Sequence, residues 1–201
     1  MVAQPSPPRM SVEVWRELER TSTDVKYEYI DGHVYAMSDG SLAHSSMGIN
    51  AVRVLQDALR ATGKQCYTYN SDVAARISSK RYTYPDASVT CDERDKPSPD
   101  TTEIQSPRVI VEVLSNSTEA YDRGRKLGYY RECPTIEEYV LVASKYQSVE
   151  VYRRTQRGWI YDFYGPEDEI ELASLSVKIA VATLYRDSGV PVVVDDPEGK
   201  V

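Results

Sequence analysis

The chain has 201 residues, 41% of them hydrophobic and 27% charged, with a formal net charge of −7. That is long enough for one domain with a real core, and no apolar run is long enough to cross a bilayer. The acidic balance does not suggest a general nucleic-acid binder, because phosphate contacts need local Lys and Arg; any nucleic-acid role needs a local basic patch or a metal. The start, Met1 to Arg9, has no apolar stretch of the secretory kind and is rich in proline. Residues 1–10 are therefore expected to be a disordered tail.

Ser11 is placed to cap a short helix running to about Arg20, with Val12, Trp15 and Leu18 as a partial apolar stripe. Asp31-Gly32, between Val25–Ile30 and His33–Met37, predicts a β-hairpin. Lys26, Glu28 and Ile30 then share one face, and Tyr27 and Tyr29 the other. Ser41 to about Thr62 reads as the longest helix, with Ile49, Val52, Leu55 and Leu59 at helical spacing, His44 in its first turn and Gly63 to end it.

Two strand-like runs follow, Gln65–Asn70 and Asp72–Ile77, and then one strand over Tyr82–Cys91 with Pro85 near its entry. Asp92–Ser106 is charged and Pro-rich, a loop of the mobile kind. Arg108–Ser115 is apolar at both alternating positions, so it predicts a strand covered on both faces. Glu112 lies inside that run, on the side of Ile110 and Leu114. A carboxylate there costs several kcal/mol unless it is paired or ligates a metal; otherwise it must end the strand and reach water.

Thr118 is expected to cap the next helix, which carries Asp122, Lys126 and Tyr130 on one face. Glu138–Ala143 is another apolar strand, 149–153 and 159–163 form a meander around Arg157-Gly158, and Glu169–Val177 adds an edge strand. A last helical turn or two covers Ala180–Arg186, and residues 188–201 are expected to be a C-terminal tail. One folded unit over 11–187 results. The three cysteines, Cys66, Cys91 and Cys133, are odd in number and widely spaced, which argues against a disulfide framework or a zinc cluster and fits a cytoplasmic location. Sixteen tyrosines against one phenylalanine suit half-exposed sheet faces.

If the strands holding Asp86 and Glu112 pair, their carboxylates meet at one end of the sheet. With a main-chain carbonyl they make an oxygen site for a small hard cation such as Mg²⁺. Lys126 is the cation expected nearby, to hold or activate a water. Each residue also has an ordinary reading. In it Asp86 serves a turn, Lys126 and Asp122 are a solvated helix pair, Glu28 is a hairpin surface charge and His44 starts a helix; Arg123 and Arg125 are phosphate contacts or plain surface charges.

These residues carry a resemblance. Pro85-Asp86 followed by Glu112-Val113 and a lysine resembles the PD-(D/E)XK nuclease superfamily. More narrowly, Tyr27–Gly32, His44, Pro85-Asp86, Val111–Thr118, Asp122, Lys126, Tyr129 and Glu138-Tyr139 are similar to the Uma2 family (DUF820) of restriction-endonuclease-like proteins. The match covers roughly residues 11–185. It implies an α/β (α+β) fold, a central mixed sheet flanked by helices with an α-β-β-β-α-β core, and Mg²⁺-dependent hydrolysis of DNA with Mn²⁺ as a substitute. It implies metal ligation by Asp86, Glu112 and the Val113 carbonyl, catalytic roles for Glu28 and Lys126, and accessory roles for His44 and Asp122. The superfamily's usual lysine position, two residues after the Glu, holds Leu114, and Lys126 matches the displaced lysine of Uma2-like sequences. The competing expectation is a non-catalytic scaffold that kept the fold. A homodimer is in keeping with two-strand cleavage, but no stretch identifies an interface.

Overall fold

A computed structural model describes residues 9–37 and 40–192. Ser11 Oγ accepts from Val14 N at 3.3 Å and starts α1 (Val12–Thr21), which buries Trp15. Strands β1 (Tyr27–Ile30) and β2 (His33–Ala36) form the hairpin, with Asp31 and Gly32 at φ 51° and 93° as its turn geometry demands. Ser41 caps α2 (Leu42–Thr62) through His44 N, and Gly63 ends it at φ 67°. Strands β3 (Tyr67–Asn70), β4 (Ala74–Ser78), β5 (Arg81–Thr83), β6 (Ala87–Thr90), β7 (Glu103–Ile104) and β8 (Pro107–Val113) follow. After them come α3 (Glu119–Tyr121), a π turn (Asp122–Lys126), α4 (Leu127–Glu132), β9 (Glu138–Val142), β10 (Val149–Thr155), β11 (Gly158–Tyr164), β12 (Glu169–Leu172), β13 (Val177–Ala180) and α5 (Val181–Leu184).

The main sheet has six strands in the order β11-β10-β9-β8-β6-β3, parallel only between β8 and β9 and antiparallel elsewhere. Its sequence α2-β3-β6-β8-α4-β9 is the expected α-β-β-β-α-β core. A second sheet, β2-β1-β5-β4-β7, and the hairpin β12-β13 complete the mixed α+β fold. Met47, Ala51, Leu55 and Leu59 of α2 cover one face of the main sheet through Val89, Val109, Val111 and Val140. On the other face Ile110, Leu114 and Tyr139 meet Tyr130 of α4 and Ala75, Ile77 and Ile104 of the second sheet. Glu112, between Ile110 and Leu114, therefore points into the seam where the two sheets and α4 converge. Trp15 packs on Tyr29 and Tyr82 across the second sheet, with ring centroids 5.6 and 4.7 Å away.

Several expectations need correction. The strand expected over Tyr82–Cys91 is two strands in different sheets, because Pro85 has no N–H to continue β5 and the chain crosses sheets there. The loop Asp92–Ser106 contains β7 and is pinned by Asp95, whose buried carboxylate accepts from Thr90 Oγ1, Gln105 N and Ser106 N at 2.7–2.9 Å. Thr118 stands at the N-cap of α3 as expected, but its side chain makes no capping bond; Ser115 Oγ accepts from Thr118 N at 3.2 Å instead. The strand expected over Glu169–Val177 is the hairpin β12-β13, turned by Ser176 at φ 54°.

The expectation that the cysteines form no disulfide also fails. Cys66 and Cys91 form a disulfide, because the β3–β6 register that pairs Tyr67 with Thr90 brings them opposite each other, while Cys133 is free and buried. Met10 N donates to Gly32 O, and Ser188 and Val190 are buried, so these parts of the expected tails pack on the fold. Residues 1–8 and 193–201 lie outside the described residues. Among the described residues no helix is long and apolar enough to cross a membrane.

Candidate active site

Where the chain crosses between sheets, Tyr84-Pro85 delivers Asp86 to the start of β6. Ala87 is paired with Val111, so the next step of the register sets Asp86 beside Glu112. Asp86 Oδ2 accepts from Val113 N at 2.7 Å and lies 3.5 Å from His44 Nε2 in the first turn of α2. Glu28 arrives from β1 and is buried; its Oε1 accepts from Tyr84 N at 3.3 Å. Lys126 Nζ stands 2.9 Å from Glu112 Oε1, 3.0 Å from Glu28 Oε1 and 3.5 Å from Asp122 Oδ1. All six side chains, with Val113, line one hollow of about 310 Å³.

The helical turn that supplies Asp122 and Lys126 is not α. Leu127 N donates to Asp122 O, an i→i+5 bond, and the turn opens into a π conformation. Asp122 is 2% exposed and Lys126 7% exposed, so neither is the solvated pair that their spacing alone would permit. Arg123, in the same turn, is committed elsewhere, to Glu119 at 3.0 Å and Glu150 at 2.6 Å. Arg125 lines the hollow and takes part in no ion pair among the described residues.

Four carboxylates thus converge on one lysine. Burial pushes the Glu112 carboxyl up to about 8; Lys126 pulls it down, and Asp122, Asp86 and Glu28 add to the rise. Burial also raises Asp86 and Asp122. Burial lowers Lys126, but Glu112, Glu28 and Asp122 outweigh it and hold the ammonium well above its ordinary range. Asp122 Oδ1 is buried and, among the described residues, reached by no hydrogen bond. The cluster is short of positive charge.

Among the described residues no three His, Cys, Asp or Glu side chains stand in a ready-made metal cage. Mg²⁺ does not require one, because it keeps several waters and takes one or two carboxylates. Asp86 and Glu112, side by side in a cluster with excess negative charge, fit that demand.

Three further residues were not singled out as site residues from the sequence. Tyr130 OH, fully buried, donates to Glu112 Oε1 at 2.7 Å and lies 3.2 Å from Thr83 Oγ1. Tyr121 and Tyr35 face each other across the wall of the hollow with ring centroids 6.5 Å apart. Tyr130 was legible as the i+4 neighbour of Lys126; the tyrosine pair depends on how β2 and α3 meet, for which the sequence carries no signal.

The Uma2 family model, described as "Putative restriction endonuclease", matches residues 12–192. The chain belongs to the Uma2 family. This Uma2 protein is 39% identical over 181 residues to the uncharacterized protein slr1290 of Synechocystis sp., covering 89% of this chain and 93% of that one. A second uncharacterized Synechocystis protein, sll1609, is 30% identical over 155 residues, 76% of this chain and 86% of its own. In fold, the Uma2 chain resembles the crystal structure of "a putative nuclease belonging to DUF820" from Anabaena variabilis. The TM-score is 0.69 at 17% identity, over 86% of this chain and 97% of that chain.

Proposed function

We propose that this protein is a metal-dependent endonuclease that hydrolyses DNA phosphodiester bonds with Mg²⁺ or Mn²⁺. The observation that carries the reading is the buried charge imbalance: Glu28, Asp86, Glu112 and Asp122 share one hollow with a single lysine, Lys126. Asp86 and Glu112 would hold the ion, with the Val113 carbonyl as a third oxygen. A bound divalent ion polarises a phosphate oxygen and lowers the pKa of a water.

The remaining steps belong to the chain. Lys126 stays an ammonium, so it serves as a donor that orients the attacking water or a non-bridging phosphate oxygen. The proton lost by that water passes to a carboxylate of the set; Glu28 stands 3.0 Å from Nζ and, unlike Glu112, is not assigned to the ion. Water oxygen bonds to phosphorus, the bond to the departing sugar oxygen breaks in line, and that oxygen leaves as an alcohol after taking up a proton. Arg125 is free to steady a flanking phosphate.

One observation favours a second reading, a non-catalytic scaffold. Glu112 Oε1 already accepts from both Lys126 and Tyr130, as a self-contained structural network would have it. Incubation of supercoiled plasmid and circular single-stranded DNA with Mn²⁺ separates the two. Wild type is expected to cut at least one of them, and Asp86→Asn and Lys126→Ala to lose about 100-fold or more in rate. Mn²⁺ should raise the melting temperature of wild type and leave that of Glu112→Ala unmoved. No cleavage together with no thermal shift would install the scaffold reading.

A further inference from the structure

We infer that the mouth of the hollow is a base-stacking site formed by Tyr35 and Tyr121, and that the substrate is DNA presenting an unpaired nucleotide rather than intact duplex. The inference rests on the nuclease reading and names the substrate class of the same site.

Four observations support it. Tyr35 lies on β2, the outer strand of the second sheet, and is 43% exposed although it is a large aromatic ring at the rim of a hollow. Tyr121 faces it with centroids 6.5 Å apart and planes inclined by 37°, a wedge open at one side. A planar ring stacked between two others needs about 7 Å, so a base enters with a small outward swing of Tyr35, and half-exposed Tyr35 is free to make it. Tyr121 OH is buried without a hydrogen-bond partner among the described residues, and Lys126 Nζ lies 5.7 Å from the centre of its ring. A base held in the wedge is therefore within a few ångströms of the carboxylates. The hydroxyl that lacks a partner gains one from the edge of the base or from its sugar.

The charges argue against duplex. A duplex carries a charge every ~1.7 Å of axis, and gripping it takes a row of Lys and Arg. Here Arg123 is spent on Glu119 and Glu150, and Lys126 is buried among carboxylates, which leaves Arg125 at the mouth. One arginine with two stacking rings suits a single strand, where each stacked base contributes binding without sequence preference.

The test is fluorescence anisotropy in Ca²⁺ with a labelled oligothymidylate of about 12 nucleotides, within the span of known single-strand sites, against a duplex of equal length. The single strand is expected to bind about 10-fold tighter than the duplex, and Tyr35→Ala to weaken it about 10-fold while Tyr35→Phe stays near wild type. Equal or tighter binding of the duplex, or no response to Tyr35→Ala, overturns the inference. The two readings fail separately. Mn²⁺-dependent cutting of duplex that ignores Tyr35→Ala keeps the nuclease and sinks the stacking site. Tyr35-dependent single-strand binding with no cleavage of any DNA keeps the stacking site and sinks the nuclease.

Discussion

A carboxylate between two buried aliphatic residues is tolerated only when its surroundings are built for it, and around Glu112 they are. Lys126 Nζ and Tyr130 OH both donate to the same oxygen, Oε1. Tyr130 never reaches the hollow, so in the nuclease reading it is a positioning residue that fixes the Glu112 rotamer. Tyr130→Phe removes one hydrogen bond to an ionisable group and leaves Thr83 Oγ1 without its neighbour, at a cost of about 1.5–3 kcal/mol in stability. The readout that a purely structural role would not move is metal dependence. The Mn²⁺ concentration for half-maximal cleavage should rise about 10-fold, as loss of a buried partner behind a ligand typically does. An unchanged Mn²⁺ requirement would reduce Tyr130 to a packing residue. At this scale the sequence was legible in part. Glu112 declared itself because a charge interrupted an apolar strand. Tyr121 did not, because a tyrosine three residues past a Ser-Thr pair looks like any half-exposed ring.

Elements show where periodicity stops being a guide. Spacing of four between Asp122, Lys126 and Tyr130 predicts one α-helical face, and all three do turn inward, yet the first pair is carried by a π turn. A π turn leaves no mark in a pattern of period 3.6, so the local geometry of Lys126 could not be read from spacing. The break at Pro85 is similar: the proline was visible, but a change of sheet is a tertiary event. The π turn gives way to α4 at Leu127, and Gly128 then sits exposed in a regular helix with nothing within 4 Å of an added Cβ. Gly128→Ala should therefore stabilise the protein by about 0.5–1 kcal/mol through helix propensity, seen as a higher urea midpoint. A lower midpoint would mean that the turn upstream needs a flexible residue there. The disulfide belongs to this scale as well, since it ties β3 to β6 across a separation of 25 residues. Closing a loop of that size is worth about 3.5 kcal/mol in the chain-entropy account. Cys66→Ser is expected to lose about that much relative to oxidised wild type, and intact mass after alkylation should show one accessible thiol in unfolded, unreduced protein. Three alkylated thiols would show the pair to be reduced. Counting cysteines missed this pair because the bond depends on strand register, which an odd total cannot reveal.

For the whole molecule, the decisive fact is that an acidic chain holds its site in the seam between two sheets. The net charge of −7 did not suggest a general nucleic-acid binder, and in the nuclease reading the folded arrangement offers such a chain a way to act on DNA. Attraction need not come from a basic surface if the strand is drawn in by stacking and by an ion at the carboxylates. This has a measurable signature. For single strands the logarithm of affinity falls with the logarithm of salt concentration at about −0.7 per phosphate neutralised. With Arg125 as the cation left unpaired at the mouth, the slope for a short single strand should be about −0.7, far shallower than for a protein that grips a backbone. Charge at a distance makes the same point: added salt should slow association little, because no extended positive field steers the ligand. A slope of about −5 would require several more phosphate contacts than the hollow provides. It would place the nucleic-acid surface elsewhere on the molecule, and the tyrosine wedge would lose its part in recognition while the carboxylates kept theirs.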